Sequence, residues 1–442
     1  MLTTVPIRTT NMATFRFLPL ALVVLAIFSI SLVLAAPPVA SADEDVRYII
    51  KFKSKKHGRG LDTMKQNGIR AEIEDDRYEF AAARMNKAKK EEMQKNPHVE
   101  YVEEDAIREP SQYQFVYPGI QTLPYGIKMI MDGFADPDKG AVSNTPKVVL
   151  CIIDSGYDVT HEDLPKTKVT GVNNTRSGTW FKDSCRHGTH VAGIAVALNN
   201  NKGVVGVIPN LGRVVLHIVK VFGADSGTSC AWTYSSSLVS ALSQCQAKAS
   251  STQKLVVSMS LGGGYNSSME NYAFQSAYNT GRVLSVAATG NSGGTAFSYP
   301  ASYPSVISVA CVTQTKGLCS FSQRNSQVDL AAPGYFVTST IPSSYAAYSG
   351  TSMSTPHVSA AAALLWGFHP TRTNADIWAA LRNTAQDLGT AGRDNSFGSG
   401  LISVRRAYSW LVGSSKSLTT STSMLTLNST ATPTPTPTST PT

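Results

Sequence analysis

Beyond its first 36 residues the chain has no apolar run long enough to span a bilayer, which argues against a polytopic membrane protein. It is also short of acid: 30 Asp and Glu stand against 39 Lys and Arg, a formal net charge of +9. Most of that excess lies beyond Glu109, where the basic residues are scattered singly, without a run or aromatic interleaving. That pattern describes a solvated basic surface and no nucleic-acid face. A His-Glu-x-x-His motif is missing as well: His187 and His190 are three apart with no glutamate between them, so a zinc pair is not indicated. No cysteine precedes Cys151, and the C-terminal tail carries no apolar segment of the kind that signals a lipid anchor.

What is present is 442 residues with 42% apolar and 8% aromatic side chains, enough for one large domain with accessories or for two ordinary ones. Arg8 and Arg16 precede an apolar stretch from Phe17 to Ala36, and small residues end in "VASA" at Ala42. That order reads as a secretory signal over 1–42, with an uncleaved signal anchor as the alternative. Six cysteines in a chain bound for export point to disulfides. Short separations favour Cys230 with Cys245 and Cys311 with Cys319, and leave the partners of Cys151 and Cys185 open.

A charge-dense segment of about 43–115 contains the strand-like stretches 46–53 and 98–107 and a helix-like 85–96. With few apolar residues, it would be marginal alone and is expected to fold against something larger. From 116 to 412 the texture changes. Apolar β-branched runs at 147–153, 214–222, 254–261, 282–288 and 305–312 alternate with helical stretches such as 237–249, 269–280 and 352–367. This is the pattern of an α/β fold, a mostly parallel sheet sandwiched between helices, with a small α+β unit before it. Residues 413–442 are Ser/Thr/Pro-rich and cannot bury a core. Asn173, Asn266 and Asn428 stand in N-glycosylation sequons.

Chemistry in such a sheet sits where strands end and loops lead into helices. Asp154 ends the first run in "DSGYD", His187 opens a helical pattern in "RHGTHVAG", and Asn291 lies in "ATGNSGG". Ser352 stands at the start of another helix in "SGTSMSTPHVS", where Pro356 is tolerated in or near the first turn. Acyl transfer by a serine needs a base, a carboxylate to orient the base, and donors for the oxyanion. The four residues supply these roles in the order Asp, His, Ser.

The stretches "VLCIIDSGYDVTHEDL", "HGTHVAGIAVALNNNKGVVGVIP", "SMSLGGG", "AATGNSGG" and "GTSMSTPHVSAAAALL" resemble the subtilisin-like serine proteases, including the proteinase K group. The resemblance covers about Gln121 to Leu411. It implies a triad of Asp154, His187 and Ser352, with Asn291 donating to the oxyanion and Thr351 assisting it or holding the turn. Segment 46–109 resembles an inhibitor-type propeptide, which in the family chaperones folding, inhibits and is removed autocatalytically. The mature start then falls between about 107 and 120.

The resemblance further implies a structural Ca²⁺ site from the side chains of Gln121, Asp163 and Asn200 and the carbonyls of Leu198, Lys202 and Val204. Oxygen ligands, most of them neutral, suit that ion. Segments 258–264 and 223–229 match the strands that flank an extended peptide. Ser260, Leu261 and Gly262, with Ala288 to Gly290, match the walls of the first specificity pocket, and Ser298 its floor. None of these is acidic, so a broad preference for apolar or aromatic residues before the cut is expected. One departure is Ser354, where the family usually has Ala. The expected partners are polypeptide substrates and the chain's own propeptide, acting on an extracellular monomer. A catalytically inactive binding scaffold and a signal-anchored protease are the alternatives, and the intact Asp154, His187, Ser352 and Asn291 speak against the first.

Overall fold

In strand Val148–Asp154 every side chain is buried, and the chain has arranged two different cores to receive them. Val148, Leu150 and Ile152 pack with Val191, Val358 and Ala361 from helices His187–Val196 and Thr351–Phe368. Val149, Cys151 and Ile153 pack with Leu238, Leu242 and Phe274 from helices Ser235–Lys248 and Ser268–Asn279. The alternation is the two-residue period of a strand covered on both faces. The computed structural model describes residues 45–110, 114–116, 121–135, 147–173, 177–223, 230 and 233–413. The signal or anchor segment, almost all of the Ser/Thr/Pro tail, most of the 223–229 loop and Asn428 lie outside them.

Seven parallel strands form the central sheet, in the order Leu330–Pro333, Val306–Val312, Val283–Ala288, Lys254–Met259, Val148–Asp154, Val214–Lys220, Val169–Val172. The α/β architecture expected from the sequence is the one found. The five apolar runs are the five inner strands, and the three long helices run within two residues of their expected limits. Both edge strands went unread. "VTGV" and "LAAP" have four residues each, too few to show a period.

Disulfides join Cys151 to Cys245, Cys185 to Cys230 and Cys311 to Cys319. The local pair Cys311–Cys319 agrees with the sequence reading, whereas Cys230–Cys245 is corrected. Cys245 lies on the buried face of helix Ser235–Lys248, directly over Cys151 of the central strand, so the sheet is a nearer neighbour than the loop 15 positions before it.

The N-terminal segment is an antiparallel sheet in the order Ala71–Asp75, Phe80–Met85, Val46–Phe52, Val99–Glu104, with helices His57–Gln66 and Lys87–Lys95. Ile50, Phe52, Met64 and Met93 fill a small core of its own. Ile49, Tyr78 and Phe80 belong instead to the apolar cluster of Leu238, Leu242 and Phe274, so the two parts share a core. Two carboxylates join them further. Glu103 accepts from Ser268 N at 2.9 Å, Met269 N at 2.9 Å and Ser267 Oγ at 2.6 Å, capping helix Ser268–Asn279. Asp105 accepts from Ser236 N at 2.8 Å and Ser235 Oγ at 3.0 Å, capping helix Ser235–Lys248. Each satisfies backbone donors that a helix start leaves unpaired. The chain then enters a short strand, Ile107–Pro110, between Thr233–Tyr234 and Leu261–Gly262 and antiparallel to both. Among the described residues no helix is long and apolar enough to cross a membrane.

Candidate active site

Asp154 ends the central strand at the carboxyl edge of the sheet, fully buried. The chain must turn at once, and Gly156 does so at φ +125°, where a side chain would be strained. A Cβ on Gly188 would lie 2.3 Å from the Gly156 carbonyl oxygen, so only glycine lets the helix start close on this turn. That approach sets His187, first residue of its helix, against the carboxylate. His187 Nδ1 lies 2.8 Å from Asp154 Oδ1, both side chains wholly out of solvent. The carboxylate oxygen accepts, so Nδ1 carries the proton and Nε2 is the basic nitrogen. Ser155 N also donates to Asp154 Oδ1, at 2.7 Å.

A second carboxylate, which sequence reasoning missed, holds this arrangement. Asp183 Oδ2 accepts from Thr189 N at 2.7 Å and Thr189 Oγ1 at 2.6 Å, and Oδ1 accepts from Ser155 Oγ at 2.7 Å. Gly188 N donates to the same Ser155 Oγ at 2.8 Å. Asp183 thus caps the helix that begins with His187 and ties it to the residue after Asp154. Its burial pushes the carboxyl up from its ordinary range. An aspartate shortly before a helix start was the signal available.

His190 has partners of its own. Its Nε2 meets the Ala346 carbonyl at 3.0 Å, its ring stacks on Tyr348 with centroids 4.1 Å apart, and burial lowers its pKa to about 3.

Ser352 is the second residue of helix Thr351–Phe368, fully buried, and its Oγ donates to the Ser260 carbonyl at 3.2 Å. Asn291 lies just beyond strand Val283–Ala288. Its Oδ1 accepts from Thr351 N and Thr351 Oγ1, both at 2.9 Å, so Nδ2 is the end of the amide left to donate elsewhere. Thr351 Oγ1 also receives Gly290 N at 3.3 Å. Thr351 therefore ties the asparagine turn to the helix that bears Ser352. His357 remains apart from the site, with Nδ1 donating to the Met353 carbonyl at 2.8 Å and burial lowering its pKa to about 4.

Of the residues expected around the substrate, Leu261 and Gly262 form the strand that pairs with Ile107–Pro110. Gly262 and Gly290 converge on Ser298: a Cβ would lie 2.4 Å from Ser298 Oγ at the first and 3.4 Å from Ser298 Cβ at the second. Ala288 is buried at the end of its strand, two residues before Gly290. Ser260, the residue before Leu261–Gly262, makes two hydrogen bonds to Ser352. The other flank is Thr233–Tyr234.

The Subtilase family profile matches residues 145–400, more than half the chain. Subtilisin E of Bacillus subtilis (strain 168) is 35% identical over 392 residues, covering 85% of this chain and 93% of that protein. The alkaline protease of Alkalihalobacillus alcalophilus is 38% identical over 320 residues, 71% of this chain and 74% of the other. The crystal structure of the psychrophilic subtilisin-like protease Apa1 from Pseudoalteromonas sp. AS-11 superposes with a TM-score of 0.58 at 30% identity. It covers 66% of this chain and 99% of its own. The chain belongs to the subtilase family of serine endopeptidases.

The subtilase also gathers the residues expected to hold a cation. Gln121 Nε2 lies 3.1 Å from both the Leu198 and Lys202 carbonyl oxygens, and Gln121 Oε1 accepts from Asn201 N at 3.1 Å. Asp163 Oδ2 accepts from Val204 N at 2.8 Å, while Oδ1 is buried with no hydrogen-bond partner. Burial raises the Asp163 carboxyl to about 7, a state that a bound cation would reverse. Asn200 Oδ1 accepts from Lys202 N at 2.9 Å within the same loop. Among the described residues no three His, Cys, Asp or Glu side chains cluster as metal ligands. Main-chain carbonyls and one carboxylate form a hard donor set, which fits Ca²⁺ better than a transition metal, while the Gln121 and Asn200 amide oxygens accept here from Asn201 N and Lys202 N.

Proposed function

We propose that this subtilase is a secreted endopeptidase, made as a self-processing precursor, that cleaves through Asp154, His187 and Ser352. The observation that carries the reading is the buried 2.8 Å bond from His187 Nδ1 to Asp154. It supports the imidazole as a base through Nε2, at the sheet edge where Ser352 and Asn291 also stand. In the reaction Ser352 Oγ attacks the peptide carbonyl carbon as His187 Nε2 takes its proton. The resulting oxyanion is stabilised by Asn291 Nδ2. His187 then returns the proton to the departing amine, leaving an ester on Ser352. Water, deprotonated by the same nitrogen, attacks that ester, and His187 passes the proton to Ser352 Oγ as the C–O bond breaks, which releases the acid and the free serine. The Asp154 carboxylate holds the ring in place and stabilises the imidazolium.

Residues 43–115 act as the propeptide. Strand Ile107–Pro110, held between Thr233–Tyr234 and Leu261–Gly262, supports this by lying where an extended substrate would add a strand. The lining around Ser298 favours apolar or aromatic residues before the cut. Ca²⁺, held by Gln121, Asp163, Asn200 and the carbonyls of Leu198, Lys202 and Val204, would tie the N-terminal stretch of the mature enzyme to the loop after His187–Val196. The mature enzyme acts on polypeptides as an extracellular monomer.

Expressing the full chain with Ser352→Ala tests this. The product is expected to stay unprocessed, with no hydrolysis of a chromogenic peptide that the parent cleaves. Normal processing and activity would overturn the assignment. N-terminal sequencing of the parent's extracellular product is expected to start between about 107 and 120.

A further inference from the structure

Helix Ser268–Asn279 buries Met269, Ala273, Phe274 and Ala277, and on the same stripe it also buries Glu270. A carboxylate in an apolar stripe is costly unless a cation meets it there. The cation is Arg108, from the strand that lies in the groove. Both side chains have no exposed surface. Arg108 Nη2 donates to Glu270 Oε2 at 2.6 Å and Nε to Glu270 Oε1 at 3.2 Å, the two-pronged geometry that guanidinium forms with a carboxylate. Nη2 also donates to the Tyr265 carbonyl at 3.0 Å, and Nη1 to the Ile107 carbonyl at 2.8 Å.

The slot is built from the catalytic part. Tyr303 Oη lies 2.8 Å from Glu270 Oε2 and accepts from Ser267 N at 3.0 Å, which fixes the carboxylate from behind. A Cβ on Gly263 would sit 2.4 Å from the Ile107 carbonyl oxygen and 3.2 Å from Arg108 Nη1, so glycine there makes room for the peptide and its guanidinium together. Strand Ile107–Pro110 is held by main-chain pairing, which any extended peptide can copy. Its neighbouring side chain, Ile107, stays 39% exposed.

Register then locates the slot. Pro110 faces Leu261 and Glu109 faces Gly262. One more step brings a bound peptide to Ser260, whose hydroxyl and carbonyl bracket Ser352. Arg108 therefore occupies the position three residues upstream of the one that reaches the nucleophile.

We propose that Glu270 is a specificity-determining residue that makes this subtilase select substrates with arginine three residues before the one whose carbonyl is attacked. The proposal rests on the protease reading above and on residues 107–110 occupying the substrate groove. Once the N-terminal segment is removed, Glu270 keeps Tyr303 and loses its cation. An incoming arginine restores it. A lysine supplies the charge without the fork, and neutral residues leave the carboxylate unmatched.

The test uses the mature enzyme from the full chain and peptides that differ only at that position: Arg, Lys, Gln, Leu or Glu. The expected ranking in kcat/KM is Arg first by about tenfold or more over Gln and Leu, Lys between, and Glu last. In Glu270→Gln the Arg-to-Gln ratio is expected to fall towards one. Leu equal to or above Arg in the parent enzyme would overturn the proposal without any variant. So would an Arg preference that survives Glu270→Gln. Cleavage of no peptide at all would overturn the protease reading and this inference with it.

Discussion

A single proline shapes the surroundings of Ser352. Pro356 is the sixth residue of helix Thr351–Phe368, one turn deeper than the sequence suggested. Lacking an N–H, it leaves the Ser352 carbonyl, four residues back, without its helical donor. Ser260 Oγ donates to that carbonyl at 2.7 Å, and Ser352 Oγ donates back to the Ser260 carbonyl at 3.2 Å. The substitute donor is 92 residues away in sequence, which is why local reasoning did not find it. Asn291 is a clearer case. Thr351 takes its oxygen, and an amide with its oxygen occupied has only N–H left to offer. Asn291→Leu is therefore expected to lower kcat by about 10²–10³-fold, a magnitude carried over from subtilisins, with KM changed only a few-fold. Steady-state kinetics on a chromogenic peptide decide it. A loss confined to KM would assign Asn291 to substrate binding instead.

At the scale of elements, the N-terminal segment works as a cap on two helices as well as a strand between Thr233–Tyr234 and Leu261–Gly262. Asp105 is the more consequential of the two caps because it also pairs with Arg47 Nε at 2.7 Å in full burial. Arg47 keeps Glu72 at 2.6 Å, so losing Asp105 does not strand the guanidinium. Asp105→Ala in the Ser352→Ala full chain is expected to cost about 2 kcal/mol, a cap plus part of a buried ion pair. Denaturant unfolding measures this, and an unchanged midpoint would show that the helix start does not depend on Asp105. Such links explain what the sequence could and could not tell. Inner strands and long helices were legible because burial on two faces, or on one stripe, imposes a period across many residues. Asp154, His187, Asn291 and Ser352 were legible because each stands at a strand end or helix start within a distinctive motif. Glu270 left a readable trace, a charge on the stripe of Ala273, Phe274 and Ala277, but its meaning depended on Arg108, 162 positions earlier. The mate of Cys245 depended on which strand lay under its helix, and four-residue edge strands carry no period to read.

For the molecule as a whole, buried neutral histidines link stability to acidity. His357 is fully buried, and its Nε2 lies where a Cβ on Gly126 would come within 2.5 Å. Burial lowers its pKa to about 4, while an unfolded histidine titrates near 6.5. Between those values the unfolded chain binds a proton that the folded chain refuses. The contribution is therefore fully present above about pH 6.5 and is lost as pH falls towards 4. His190, lowered to about 3, and His217, lowered to about 4, act in the same sense; Asp329, raised to about 6 by burial, acts in the opposite one. A difference between two chains that share all the other groups isolates His357. In the Ser352→Ala background, His357→Gln is expected to flatten the fall in unfolding free energy between pH 6 and 5 by about 1 kcal/mol per pH unit. Denaturant titrations of both chains across that range measure the slope. Parallel curves would mean that His357 takes up its proton in the folded state, and the buried ring would then have to find a partner for its second N–H.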